Sequence, residues 1–227
     1  PVSDIIQYVE LLSSPPLAKK DYPIFLDKVG KRVGSQQLTL VDDPLMPGGV
    51  RSSSVDQEGT PSRKIAIIEK GVLKTFVYDS FYGAMEKRKT TGSGNRYYFV
   101  VGVSQFPGRN YNLEPIPRAR NPYILPSDWK RDEVIEDMKD GLLAKRFHYT
   151  RLTNPTRGDV TSILRMGLYQ IKNGKIVGAV EKSRLIDNLL GIMKNVDAVS
   201  DKLVVAGSWG DYVHALAVRT KAHVTPV

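Results

Sequence analysis

The chain has 227 residues, 41% of them apolar and 25% charged, with a formal net charge of +9 and no cysteine. This is enough for a sizeable core in one large domain or two small ones. No apolar run approaches the ~20 residues of a membrane-spanning helix, and the missing thiols exclude disulfides, thiolate metal sites and cysteine nucleophiles. No basic-then-apolar leader opens the sequence, so the reading is of a cytoplasmic protein that does not contact a membrane. A start at Pro1 points to processing, a tag remnant or a piece of a longer chain.

"SDIIQYVELLSSPP" reads as a helix capped by Ser3 or Asp4, apolar at Ile5, Ile6, Val9 and Leu12, and stopped by Pro15-Pro16. "QLTLVDD" follows as a strand. "RKIAIIEKGVLKTFVYDS" has strand residues at Ile65, Ile67, Val72, Phe76 and Tyr78 around the turn Glu69-Lys70-Gly71, which predicts a hairpin. "NRYYFVVGVS" reads as a strand buried on both faces. The segment from Phe106 to Asp128, rich in Pro, Asn and Arg, reads as a long irregular connection that could divide two lobes. A helix over "SDWKRDEVIEDMKDG" is expected to be capped by Ser127 and to end at Gly141 in the left-handed conformation.

Asn173-Gly174 between "SILRMGLYQI" and "KIVGAV" predicts a type I′ hairpin. "SRLIDNLLGIMKNV" reads as a helix capped at Ser183, and "KLVVAG" and "VHALAVRTKAHV" as closing strands. About eight strands and three helices without strand–helix alternation predict an α+β protein. Its sheets are mainly antiparallel, with the helices packed on one side or end.

The stretch Leu38 to Pro61 gathers Asp42, Asp43, Asp56 and Glu58 around prolines and glycines. Four carboxylates on one loop raise a metal or acid/base site. The closely alternating ligands of a calcium loop are absent, however, and Asp-Asp-Pro and Asp56 to Gly59 are turn formers. A divergent hydrolase using these carboxylates remains one alternative. His148, His214 and His223 have no HExxH spacing, and His214 and His223, nine apart, would point to opposite faces of one straight strand. "TTGSGNR" lacks the phosphate-loop signatures. The basic balance, with Tyr111 and Tyr123 among arginines, supports a second alternative, a nucleic-acid-associated protein. The residues by themselves suggest an interaction module.

In order, "LTLVDDPLMPGGVRSSSVDQEGTPSRKIAIIEKGVLKTFVYDSFYGA", "TTGSGNR" and "GDVTSILRMGLYQIKNGKIVGAVEKSRLIDNLLGIMKNV" resemble the TldD/PmbA family, once called modulators of DNA gyrase. The likeness runs from about Leu26 to Val218, and DDP-x-x-PGG is closer to the PmbA branch. TldD-like members are zinc metalloproteases using an HExxxH helix and a later cysteine; PmbA-like members lack these and serve as partner subunits. Here the helix position falls near Asp4 to Ser13, without histidine, and the cysteine position on Ala206 before Gly207.

The resemblance therefore implies a C-terminal domain or reduced member, a noncatalytic PmbA-like subunit of a TldD-type protease that helps hold unfolded peptide. It implies no resident metal or cofactor, no catalytic residues of its own, and a homo- or hetero-oligomer. Asp42, Asp43, Arg51, Asp56, Glu58, Gly59 and Asp159 are the candidates for a peptide groove or its loops. The alternative the old name carries is a basic gyrase- or nucleic-acid-associated modulator.

Overall fold

A computed structural model describes residues 1–20, 23–96, 113–208 and 211–227. Helices α1 (Val2–Leu12) and α2 (Pro15–Lys20) and a short 3-10 turn precede β1 (Leu40–Asp42), β2 (Ile65–Glu69), β3 (Val72–Leu73) and α3 (Ser80–Met85). Then come β4 (Gly94–Asn95), β5 (Ile116–Pro117), β6 (Pro122–Ile124) and α4 (Arg131–Glu136). The strands β7 (Asp140–Ala144), β8 (His148–Asn154), β9 (Asp159–Leu164), β10 (Leu168–Lys172), β11 (Lys175–Ala179) and β12 (Ser183–Asn188) lead into α5 (Leu189–Lys194). The chain closes with β13 (Ala198–Val199), β14 (Val204–Ser208), β15 (Asp211–Ala215), β16 (Val218–Arg219) and β17 (Val224–Pro226).

The larger sheets run β3-β2-β1-β6, β11-β10-β7 and β17-β12-β9-β8, and β14-β15 forms a separate ribbon. All these neighbours pair antiparallel, so the fold is α+β. β1 is an interior strand and β6 ends its sheet, and every residue of both is buried. They pack into a core that joins Ile6 and Val9 of α1, Ile67 and Ile68 of β2, Leu73, Val77, Leu189 and Val213. A second cluster gathers Val160, Leu164, Leu168, Leu185 and Ile192. In it β9 and β12 bury one face against β10 and α5.

The Asn173-Gly174 hairpin forms as its sequence requires, with φ of 48° and 74° at the two turn residues. Other boundaries differ. The helix expected from Ser183 begins instead at Leu189, where the Asn188 side chain accepts from Leu190 N and Gly191 N. Residues 183–188 are a strand because Leu185 faces the core while Arg184 and Ile186 face outward. An apolar Ile186 on the solvent face hid the period of two.

Gly141 does not end a helix. α4 stops at Glu136, and Gly141 lies in β7 opposite Ile171, close under the Met138 side chain. Lys130, with Glu133 accepting from its N–H, takes the cap position expected of Ser127. "SILRMGLYQI" divides into the ends of β9 and β10. The hairpin of β2 and β3 ends at Leu73, and residues 74–79 continue without strand pairing.

The connection thought irregular contains β6, which pairs with β1 and forms the buried end strand of that sheet. Of the expected strand at 95–104, Asn95 belongs to β4, and residues 97–112, including Tyr111 and Arg109, lie outside the described residues. His214 and His223 fall on β15 and just before β17, on different elements.

Gly71 in the β2–β3 turn has φ +78°, and a Cβ there would lie 2.1 Å from Gly34 O and 2.4 Å from Ser35 O. Gly71→Ala is expected to destabilise the protein by about 2–4 kcal/mol, combining left-handed strain and a backbone clash. Urea unfolding checks this, and a change under 1 kcal/mol would contradict the close approach.

Candidate functional site

The carboxylates of the Leu38–Pro61 stretch are tied to backbone. Asp42 is buried at the end of β1, and its Oδ1 accepts from Arg120 N at 2.9 Å and Asn121 N at 2.8 Å. Asp56, also buried, accepts from Glu58 N at 2.9 Å and Thr60 N at 2.8 Å through Oδ1, and from Gly94 N at 3.0 Å through Oδ2. Its turn needs Gly59, which has φ +83°. Glu58 holds both the N–H (2.8 Å) and the hydroxyl (2.6 Å) of Ser80 where α3 begins. Asp43 turns the chain at Leu45 N and lies 3.4 Å from Lys64 Nζ.

Two residues from the Arg-rich segment complete this arrangement. The Arg120 guanidinium donates to Val55 O, Ser62 Oγ and Gly92 O at 2.6–2.9 Å. Asn121 accepts from Arg51 N and donates to Asp43 O and Ser52 Oγ. These are the contacts that buried backbone groups require. Five candidate side chains, Asp42, Asp43, Arg51, Asp56 and Glu58, together with Gly59, therefore belong to one loop system. Arg51 links it to the β14–β15 ribbon by donating to Tyr212 O at 3.3 Å. Asp159 stands apart on β9, 3.3 Å from Arg157 Nε and accepting from Asn188 Nδ2. Arg118, Arg120, Asn121 and Glu10 were missed; the run "RARN" between prolines was the sequence signal for the first three, and Glu10 in the first helix carried none.

Burial pushes the Asp42 carboxyl up to about 6, against the two amide donors that oppose the shift. His214 on β15, also buried, is pushed below its ordinary value by burial and then by the Arg51 charge.

α1 packs against this ribbon and β6. Its inward polar side chains are Asp4, Gln7 and Glu10, all buried. Glu10 accepts from Arg118 Nε at 2.7 Å and Nη2 at 3.1 Å. Asp4 accepts from Thr150 Oγ1, and Tyr8 Oη donates to Thr150 O at 2.8 Å. The ribbon carries Ala206 and Gly207 where the resemblance puts a ligand cysteine.

A zinc site requires about three protein donors around an open position. Here one carboxylate of α1 holds a buried guanidinium and the other a hydroxyl. His214 is a lone imidazole, and among the described residues no three His, Cys, Asp or Glu converge. This donor set does not fit a zinc ion.

A cleft of about 1610 Å³ opens beside α1 and the ribbon. Ile5, Val9, Leu142, Leu168, Ile192 and Ala206 are among its lining. The loop candidates and Asp159 do not line it.

The fold is thus an antiparallel α+β framework whose helix–ribbon site brings no three metal-donor side chains together among the described residues. Residues 5–219 match the PmbA/TldA metallopeptidase C-terminal domain, and the chain belongs to that family. It is 32% identical over 189 residues to a metalloprotease TldD homolog of Buchnera aphidicola, covering 82% of this chain and 35% of that protein. It is 30% identical over 188 residues to a metalloprotease of Methanocaldococcus jannaschii, covering 83% of this chain and 38% of that one. The chain thus spans little more than a third of these relatives.

Among solved structures, TldE from Thermococcus kodakarensis superposes with a TM-score of 0.83 at 20% identity, over 100% of this chain and 48% of that one. A protein of Thermotoga maritima described as a candidate modulator of a DNA gyrase gives 0.77 at 22%, over 98% and 47%. These two likenesses establish the fold.

Two measurements check the buried charges. The raised Asp42 carboxyl binds a proton more tightly folded than unfolded, so its contribution to stability is present below pH ~4 and lost as pH rises to ~6. Asp42→Asn keeps an acceptor without the charge and is expected to remove part of the stability loss between pH 4 and 7 seen in urea unfolding. Identical pH profiles for variant and parent would contradict it. Glu10→Leu and Arg118→Met, each made alone, should cost about 3–5 kcal/mol by taking the ion-pair partner from a buried charge, with the double variant Glu10→Leu/Arg118→Met recovering much of that loss. Additive losses in the cycle would show that the pair is not coupled.

Proposed function

We propose that this chain works as a noncatalytic PmbA-like partner of a TldD-type metalloprotease and holds unfolded peptide for that partner to cleave. The observation that carries this reading is the pairing of a donor set unfit for zinc with an adjoining cleft of about 1610 Å³. The cleft exceeds the roughly 300–1,000 Å³ of small-molecule pockets and suits an extended chain.

β14 pairs with β15 alone among the described residues, so its outer edge offers backbone donors and acceptors to an added strand. Exposed Val204 and Val205 flank that edge. A peptide lying there would run beside α1 and over Ala206 and Gly207, with its apolar side chains entering the cleft. In this role the loop built on Asp42, Asp56 and Arg120 keeps the ribbon in place through Arg51. Hydrolysis itself would require the zinc-bearing subunit.

In the decisive experiment the purified chain is mixed with labelled unfolded casein, with and without a TldD-type subunit. The chain alone, with zinc supplied, should bind casein without cutting it, and cleavage should appear on mixing. Leu142→Glu in the cleft should weaken casein binding about tenfold, the loss expected from one charge in an apolar subsite. Chelator-sensitive cleavage by the chain alone would overturn the reading.

A further inference from the structure

The four-stranded sheet β17-β12-β9-β8 has one face in the second core cluster and one face turned outward. Its register fixes which residues share the outward face. Thr225, Arg184, Ile163 and His148 lie opposite one another across the four strands, and Ile186, Thr161 and Arg151 form the adjoining row. Arg165 follows β9 and reaches the same face, its Nη2 3.0 Å from His148 Nε2. Residues opposite in an antiparallel sheet project to the same side, so three guanidiniums surround a centre of Ile163 and Ile186. Ile186 is 49% exposed. Arg151 and Arg184 make no ion pair among the described residues. The one carboxylate in register on this face, Asp159, is at its far end beside Arg157.

We propose that this outward face docks an acidic polypeptide bearing aliphatic side chains. Unpaired guanidiniums ask for carboxylates, which they can hold through two parallel hydrogen bonds. An aliphatic centre within a charged rim is the layout of a protein interface. Single-stranded nucleic acid stacks successive bases on a series of aromatic platforms, and the register rows carry one ring, His148 set edge-on against Tyr149, with isoleucine and threonine at the centre. A second copy meeting this face on its own two-fold would set arginine against arginine on a chain already at +9. The inference is independent of the peptide cleft, which is lined by Leu164, Leu185 and Val224 on the core side of this sheet and by none of the outward-facing residues named here.

The test uses the full chain and three readouts. A fluorescein-labelled peptide of alternating Glu and Leu should bind with an affinity that falls as salt rises. The charge reversal Arg151→Glu/Arg184→Glu should weaken it about tenfold or more. Ile186→Asp, at an exposed position, should weaken it similarly, and circular dichroism identifies any variant that has not folded, so one variant can replace the other. The casein binding of the cleft should be unchanged in both. No peptide binding, or equal binding by parent and variants, overturns the proposal. So does tighter binding of oligo(dT) that the same substitutions abolish, or self-association that they abolish.

Discussion

A buried carboxylate that must find hydrogen-bond donors organises this molecule. Asp42 ends the central strand β1 with its side chain in the interior, and the donors it finds are the amides of Arg120 and Asn121, 78 and 79 residues later. That bond brings the Arg-rich segment to β1, where β6 completes the sheet. Arg120 and Asn121 then reach into the loop that follows Asp42 and satisfy its carbonyls and hydroxyls. The raised carboxyl of Asp42 measures the tension in the arrangement. Burial disfavours its charge, while the amides that depend on it favour that charge.

The same logic governs α1. Buried polar side chains are costly if unpaired; Gln7 Nε2 has no partner among the described residues, but Glu10 pairs with Arg118, Tyr8 and Asp4 with Thr150, and Ser14, just beyond the helix, donates to Pro117 O. A helix with this work is a brace between β5 and β8. A guanidinium held against its innermost carboxylate is a poor neighbour for a divalent cation, so bracing and metal binding exclude one another at this position. That exclusion is what the proposed noncatalytic role rests on.

The three larger sheets differ in how their faces are used. β1 and β6 are covered on both sides, β9 and β12 on one, and β11 is exposed along its whole length. The cleft lies between α1 and the sheets, and the arginine face is the side of β9 and β12 that, among the described residues, is left partly exposed, most of all at Ile186. Both features arise from incomplete covering of a sheet, and the two proposals differ because one feature is concave and the other is not.

The sequence by itself determined whatever depends on neighbours along the chain. Asn173-Gly174 demanded its hairpin because few residues tolerate positive φ twice in succession. Asp before Pro44, and Asp56 before Gly59, announced turns, and those carboxylates do hold turn amides. The order of such local signals also carried the family. Tertiary structure decided the rest, because the deciding contacts join residues far apart. Gly141 became strand by pairing with Ile171, and residues 183–188 by pairing with β9. Pro122–Ile124 became the buried end strand of the first sheet although prolines surround it, since β1 lacked a partner on that side. Arg120 looked like one more surface cation, and only folding placed it among buried carbonyls. Local spacing specifies turns and caps within a few residues, but a buried charge selects its partner by where the whole chain brings it.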